Sequence, residues 1–197
     1  MLSCIYIITP GHQAMIAFGC TRSPARPHSA IDTPGPGLIT SITKQRMAGV
    51  ARVHTFLFQE GIWVAKGEYI DEAMNRGSLE GETRVTHRTD VWLNEGRMTL
   101  RMGGKTVEIE NLYRIVPFAE GSDFTSWESV NPALGTLRGH YIIIGEAILS
   151  SCTSTDVRYT GTEFLLQESA DRYSNRGTLF SSSGKISSWS LILSRKV

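Results

Sequence analysis

The chain has 197 residues, 41% of them hydrophobic and 20% charged, with a formal net charge of +1. That length suits one domain with a sizeable core, and the near-zero charge offers no field to draw nucleic acid or an acidic membrane face. No stretch approaches the roughly 20 consecutive apolar residues of a membrane-spanning helix.

The N-terminal part reads differently from the rest. Residues 1–46 hold Arg22, Arg26, Lys44 and Arg46 against the single acid Asp32, and carry five of the seven prolines. The apolar run Cys4-Ile5-Tyr6-Ile7-Ile8 is broken by Thr9-Pro10-Gly11, and no Lys or Arg precedes Arg22. A secretory signal needs a basic start and an unbroken apolar stretch of roughly 7–15 residues. Residues 1–46 are therefore expected to be a disordered or spurious extension, with Met47 as an alternative start, and 47–197 to be the folded domain. Cys4 and Cys20 fall in the extension, so Cys152 is alone in the domain. A single cysteine forms no internal disulfide, which agrees with a reducing, cytoplasmic location.

From Gly61 onward, short segments alternate apolar and polar residues, the period of a half-buried strand. Strands are predicted over 62–70, 80–93, 97–102, 105–116, 125–130, 136–144, 146–152, 157–167, 172–181 and 185–195. Residues 71–76 are expected to form one helical turn at most. In the second strand Val85, His87, Val91 and Leu93 share a face, and Asn94-Glu95-Gly96 is read as the turn that follows. Gly103-Gly104 is a strong hairpin turn. After it Val107, Ile109 and Tyr113 share one face while Glu108 and Glu110 share the other. Gly67, Gly81, Gly139, Gly161 and Gly177 lie within strands, where glycine marks bulges or tight barrel bends. Short strands at regular spacing argue for a barrel or a sandwich.

Gly61-Ile62-Trp63 opens the first of these strands and Arg195 closes the last. A tryptophan and an arginine so placed can stack across the closed end of a barrel. The pairing resembles the signature of the calycin superfamily, which includes lipocalins and fatty-acid-binding proteins, and the resemblance spans residues 60–196. It implies an all-β fold, a single antiparallel up-and-down β-barrel of about eight to ten strands with a small molecule inside. Two family features are missing. No helical pair follows the first strand, as in fatty-acid-binding proteins. No histidine stands near the C-terminus, as in haem-holding nitrobindins; the last is His140.

Sequence motifs for chemistry are scarce. There is no Cys-x-x-Cys, His-Glu-x-x-His or Gly-x-Ser-x-Gly, so no metal site and no catalytic residue is assigned. Gly104-Lys105-Thr106 has the end of a phosphate loop but Thr99 where its first glycine belongs. His87 and His140 lie in predicted strands and are expected to line a partly polar interior, with haem ligation as an alternative. The resemblance adds Tyr113, Tyr141, Tyr159 and Arg176 as groups that hold a ligand carboxylate. Otherwise Arg138, Arg158, Arg172 and Arg176 space charge around the outer wall. Glu163 is expected to face outward; facing inward it would serve as a general acid. Trp92 and Trp127 read as core or rim, and Trp189 as core.

The expected function is non-covalent binding of a small, largely apolar ligand inside the barrel. His87, Tyr113, His140, Tyr141 and Arg176 are the binding candidates, and Trp63 and Arg195 close the barrel. An isomerase- or lyase-type enzyme and a haem-binding barrel are the alternatives. No cofactor is named. The expected partner is the small molecule, with no nucleic acid and no membrane span, and a homodimer is compatible with the sequence.

Overall fold

A computed structural model describes residues 54–196. The boundary at Met47 and the two extension cysteines lie outside the described residues. Ten strands succeed one another: β1 Gly61–Asp71, β2 Arg76–His87, β3 Trp92–Met102, β4 Lys105–Ile115 and β5 Phe124–Asn131, then β6 Gly135–Ile144, β7 Ala147–Ser154, β8 Tyr159–Ser169, β9 Arg172–Ser181 and β10 Gly184–Arg195. Each pairs antiparallel with its sequence neighbours, and β1 pairs with β10. The sheet thus closes on itself and leaves no free edge at its two ends. This is the expected all-β, up-and-down barrel. No helix among the described residues is long and apolar enough to cross a membrane.

Alternation places the core. On β10, Trp189, Leu191 and Leu193 are buried while Ser188, Ser190 and Ile192 are half-buried. Opposite them on β1 stand Tyr69, Gly67 and Ala65. Two glycines make room for indoles. Trp127 pairs across the sheet with Gly139, and Trp189 with Gly177. A Cβ at either glycine would meet the ring at 2.4 and 2.1 Å respectively. On the outer wall, registered pairs carry opposite charges, as in Arg97 to Glu110 at 2.6 Å and Arg138 to Glu128 at 2.8 Å. Exposed pairs of this kind contribute about 0–1 kcal/mol each, so they favour register more than stability.

Two local expectations change. Residues 71–76 form the β1–β2 hairpin turn, closed by Met74 N–H to Asp71 O at 3.2 Å, and Arg76 already belongs to β2. The second hairpin turns at Arg88–Val91, with Arg88 N–H donating to Val91 O at 3.0 Å, and not at Asn94–Gly96. Asn94 is buried in β3 and accepts a hydrogen bond from the Thr83 hydroxyl. The Asn-Glu-Gly triplet has turn chemistry, but Thr83 pairs with Gly96 and draws the triplet into the sheet. The Gly103-Gly104 turn is as read, with φ values of 57° and 75°, both left-handed as a tight hairpin requires.

The chain preceding β1 caps one end of the barrel. Phe56 and Leu57 are fully buried, and the Tyr173 hydroxyl accepts from the backbone N–H groups of Thr55 at 3.0 Å and Phe56 at 3.2 Å. His54 lies 3.3 Å from the same hydroxyl through Nδ1 and 3.0 Å from Gly145 O through Nε2. Burial holds the His54 imidazole below its usual 6.5, against the opposing pull of the Gly145 carbonyl and the Glu146 charge. The unfolded chain therefore binds a proton in a window where the folded chain does not. Stability is full above pH 6.5 and falls as the pH drops below it, until the folded imidazole also protonates. Thermal midpoints measured across that window should fall with acidification, and His54→Asn should flatten the fall. A profile unchanged by the substitution would remove His54 as its cause.

Candidate functional site in the barrel interior

One row of ladder partners crosses the interior. Tyr141 of β6 pairs with Ser150 of β7, Ser150 with Glu163 of β8, Glu163 with Gly177 of β9, Gly177 with Trp189 of β10, and Trp189 with Tyr69 of β1. Glu163 is 1% exposed. Its Oε1 accepts from Trp189 Nε1 at 3.2 Å, and the same N–H reaches Asn175 Oδ1 at 3.0 Å. Burial pushes the Tyr69 phenol up, with a Ser187 hydrogen bond opposing it.

Glu163 therefore points inward, contrary to expectation. The phase of β8 is set by Gly161 and Leu165, which are buried, and this leaves Phe164 and Leu166 exposed on the outer wall. The larger apolar residues occupy the water face, so local hydrophobicity gives the wrong direction here.

Around the row the walls are aromatic. Tyr113 meets Trp127 edge-on at 4.9 Å, and Tyr141 stacks on Trp127 at 5.8 Å. Within this apolar lining several polar atoms are unmet. Ser150 Oγ, Asn175 Nδ2, Asn111 Nδ2 and Trp127 Nε1 are buried with no hydrogen-bond partner among the described residues. Each such group costs about 1–3 kcal/mol. Buried polar groups are normally met by protein, ordered water or a ligand.

The predicted site residues separate cleanly. Tyr113 and Tyr141 are buried and face inward. His87 lies on the inward face but belongs to the cap: Nε2 is 2.7 Å from Leu57 O, and the ring stacks on Trp92 at 4.1 Å. His140 and Arg176 stand on the outer wall and line no interior surface. His140 stacks on Phe124 at 4.8 Å, and Arg176 Nη1 donates to the carbonyls of Asn175 and Leu191 at 2.8 and 3.3 Å. The cause is strand parity. Tyr141 and Asn175 take the inward positions, so their neighbours His140 and Arg176 face water. Tyr159 is half-buried, with the Arg158 guanidinium 5.4 Å from its ring. Among the described residues no three His, Cys, Asp or Glu side chains gather as a metal site. Ser150, Asn111 and Asn175 escaped the sequence reading. Asn111 was legible, since it shares the face of Ile109 and Tyr113.

The wall parts on one side. The β4–β5 ladder joins only Tyr113 to Ser129, Arg114 to Glu128 and Ile115 to Trp127. Where the strands diverge lies an outer-wall groove of about 520 Å3, lined by Glu82, Arg84, Arg97, Glu110, Leu112 and Val130 among others.

At the closure of the barrel, Trp63 pairs directly with Arg195, whose guanidinium carbon sits 6.0 Å from the indole. Arg195 also donates to Gln59 Oε1 at 2.6 Å and to Glu60 O at 3.1 Å, tying the cap to the last strand. The fold is calycin-like. No protein-family model and no curated sequence matches the chain. Among solved structures, the calycin-like barrel is similar to the S-type phycobiliprotein lyase CPES from Guillardia theta. The two are 8% identical, with a TM-score of 0.55 over 78% of this chain and 99% of that one. At that identity the likeness is one of fold alone. Two further matches are a hot-dog-fold protein of unknown function from Alicyclobacillus acidocaldarius and an N-terminal dehydratase from the difficidin assembly line. They are 9% and 10% identical, cover 71% and 72% of this chain and 79% and 80% of their own, and have TM-scores of 0.22 and 0.24. Scores that low say nothing about the calycin-like barrel.

Proposed function

We propose that the barrel binds one small, largely apolar molecule non-covalently in its interior. The observation that carries this reading is the set of unmet polar atoms on Ser150, Asn111, Asn175 and Trp127 inside an aromatic wall. Ligand sites are typically mostly apolar with a few convergent polar groups that fix orientation. A barrel of about eight strands is just wide enough for its own side chains, and ten strands enclose more. Tyr113 and Tyr141 form the apolar walls, and Ser150, Asn111 and Asn175 orient the guest. His87 acts at one remove, by holding the Leu57 carbonyl and so the cap. The similar structure is named a phycobiliprotein lyase, and that name lends this chain a barrel architecture and no reaction.

Nile red, a neutral apolar fluorophore, provides the test. It should bind saturably, with about one-to-one stoichiometry, and Tyr113→Phe or Ser150→Ala should shift its affinity by on the order of 1 kcal/mol. Glu108→Ala and Glu110→Ala, both on the outer face, should leave binding unchanged. Folded protein that shows no saturable binding would refute the reading.

A further inference from the structure

We propose that this interior site selects apolar molecules bearing a protonated or N–H-donating nitrogen, and rejects carboxylates. The inference rests on the interior-binding reading and adds the chemistry of the guest.

Charge placement favours such a guest. Among the described residues Glu163 is the only buried carboxylate, and no Lys or Arg is buried. The strand arginines that a carboxylate ligand would need are outside: Arg97 and Arg138 pair with Glu110 and Glu128, and Arg176 lies along the outer backbone. A ligand carboxylate brought beside Glu163 would meet another carboxyl group and no guanidinium fork.

The groups on this row also share one hydrogen-bonding polarity. A carboxyl Oε1 that accepts from an N–H acts as an acceptor there, and an amide oxygen likewise. Glu163 Oε1 and Asn175 Oδ1 converge on one N–H, that of Trp189, at 3.2 and 3.0 Å. The site already holds one indole nitrogen by this geometry, so a second N–H group presented by a ligand meets the same kind of acceptors. Ser150 stands directly across the ladder from Glu163 with an unmet hydroxyl that can accept as well.

The aromatic wall favours the same kind of guest. Trp127, Tyr113 and Tyr141 pack edge-on and stacked against one another on the inward side of the sheet, and aromatic faces attract cations. A carboxyl group within an aromatic lining is a surrounding that suits an ammonium or a heterocyclic N–H.

Three probes of one size separate the possibilities: naphthylmethylamine, naphthylmethanol and naphthylacetate, titrated calorimetrically into the full chain at neutral pH. The amine should bind at least about tenfold tighter than the alcohol, a charge-assisted hydrogen bond being worth that much, and the acid should bind weakest. Glu163→Gln should erase most of the amine's advantage while leaving the alcohol's affinity within about twofold. Far-UV dichroism and the thermal midpoint check that the variant folds. If it does not fold, the order of the three probes on the natural chain decides alone. Equal affinities, or an acid that binds best, would overturn the proposal and leave the interior-binding reading standing. Saturable binding of none of the three, nor of Nile red, would overturn both.

Discussion

Trp63→Ala is expected to destabilise the barrel by about 3–5 kcal/mol, the range for truncating a fully buried large aromatic. The indole is 0% exposed and is held from three directions. Phe56 from the cap meets it edge-on at 5.2 Å, Tyr173 of β9 at 5.5 Å, and Arg195 lies over it from the strand that completes the sheet. Alanine would leave a void beneath the cap at the point where the first and last strands join. Arg195→Ala should cost less, since its guanidinium is partly solvated, but it also releases Gln59 and Glu60. Because the two side chains touch, their effects should not add. Urea unfolding of both single variants and the double variant should give a coupling of about 1 kcal/mol, the worth of a partly buried cation–aromatic contact. Additive effects would mean that the closure does not depend on this pair.

Gly177→Ala should also be severe, although it adds a single methyl group. That methyl would sit 2.1 Å from Trp189 Cζ2 and 2.3 Å from Cε2, far inside contact distance. The indole has nowhere to go. It is 3% exposed, and its N–H is engaged by Glu163 and Asn175. Either the strands spread or the indole tilts and abandons both acceptors. The expected loss is about 3 kcal/mol, the upper part of the usual overpacking range. Combining Gly177→Ala with Trp189→Leu, which vacates the space, should cost less than the two changes summed. Gly103→Ala is the comparison. It has nothing within 4 Å of its added methyl and pays only for a left-handed φ of 57°, about 1 kcal/mol. Equal midpoints for the two single variants would show that the indole does not lie against Gly177.

The strand count, the order of the strands and the meeting of Trp63 with Arg195 were legible because each depends on local pattern. Alternation with a period of two is written in consecutive residues, and short glycine turns force neighbouring strands to pair. An up-and-down barrel then has only one closure left, first strand to last. What sequence could not decide was where polar residues break the pattern. His140 and Tyr141 were both read as lining residues, yet adjacent residues on a strand point to opposite faces, and only Tyr141 is inside. Asn94-Glu95-Gly96 resembles a turn until Thr83 is placed opposite Gly96.

By itself, then, the order of residues determined an all-β barrel closed by one tryptophan–arginine pair. Tertiary structure decided which side of each ambiguous strand became the interior. Glu163 is enclosed because Leu165 and Gly161 share its face, while Phe164 and Leu166 are left to the solvent. His54 and Tyr173 meet across 119 residues, so the cap has no local signature at all. The physical reason is common to both cases. A strand's two faces are chemically distinguished only when one is overwhelmingly apolar. Where they are nearly balanced, the choice falls to partners supplied by other strands, and here that choice gathered the polar groups from which a site can be made.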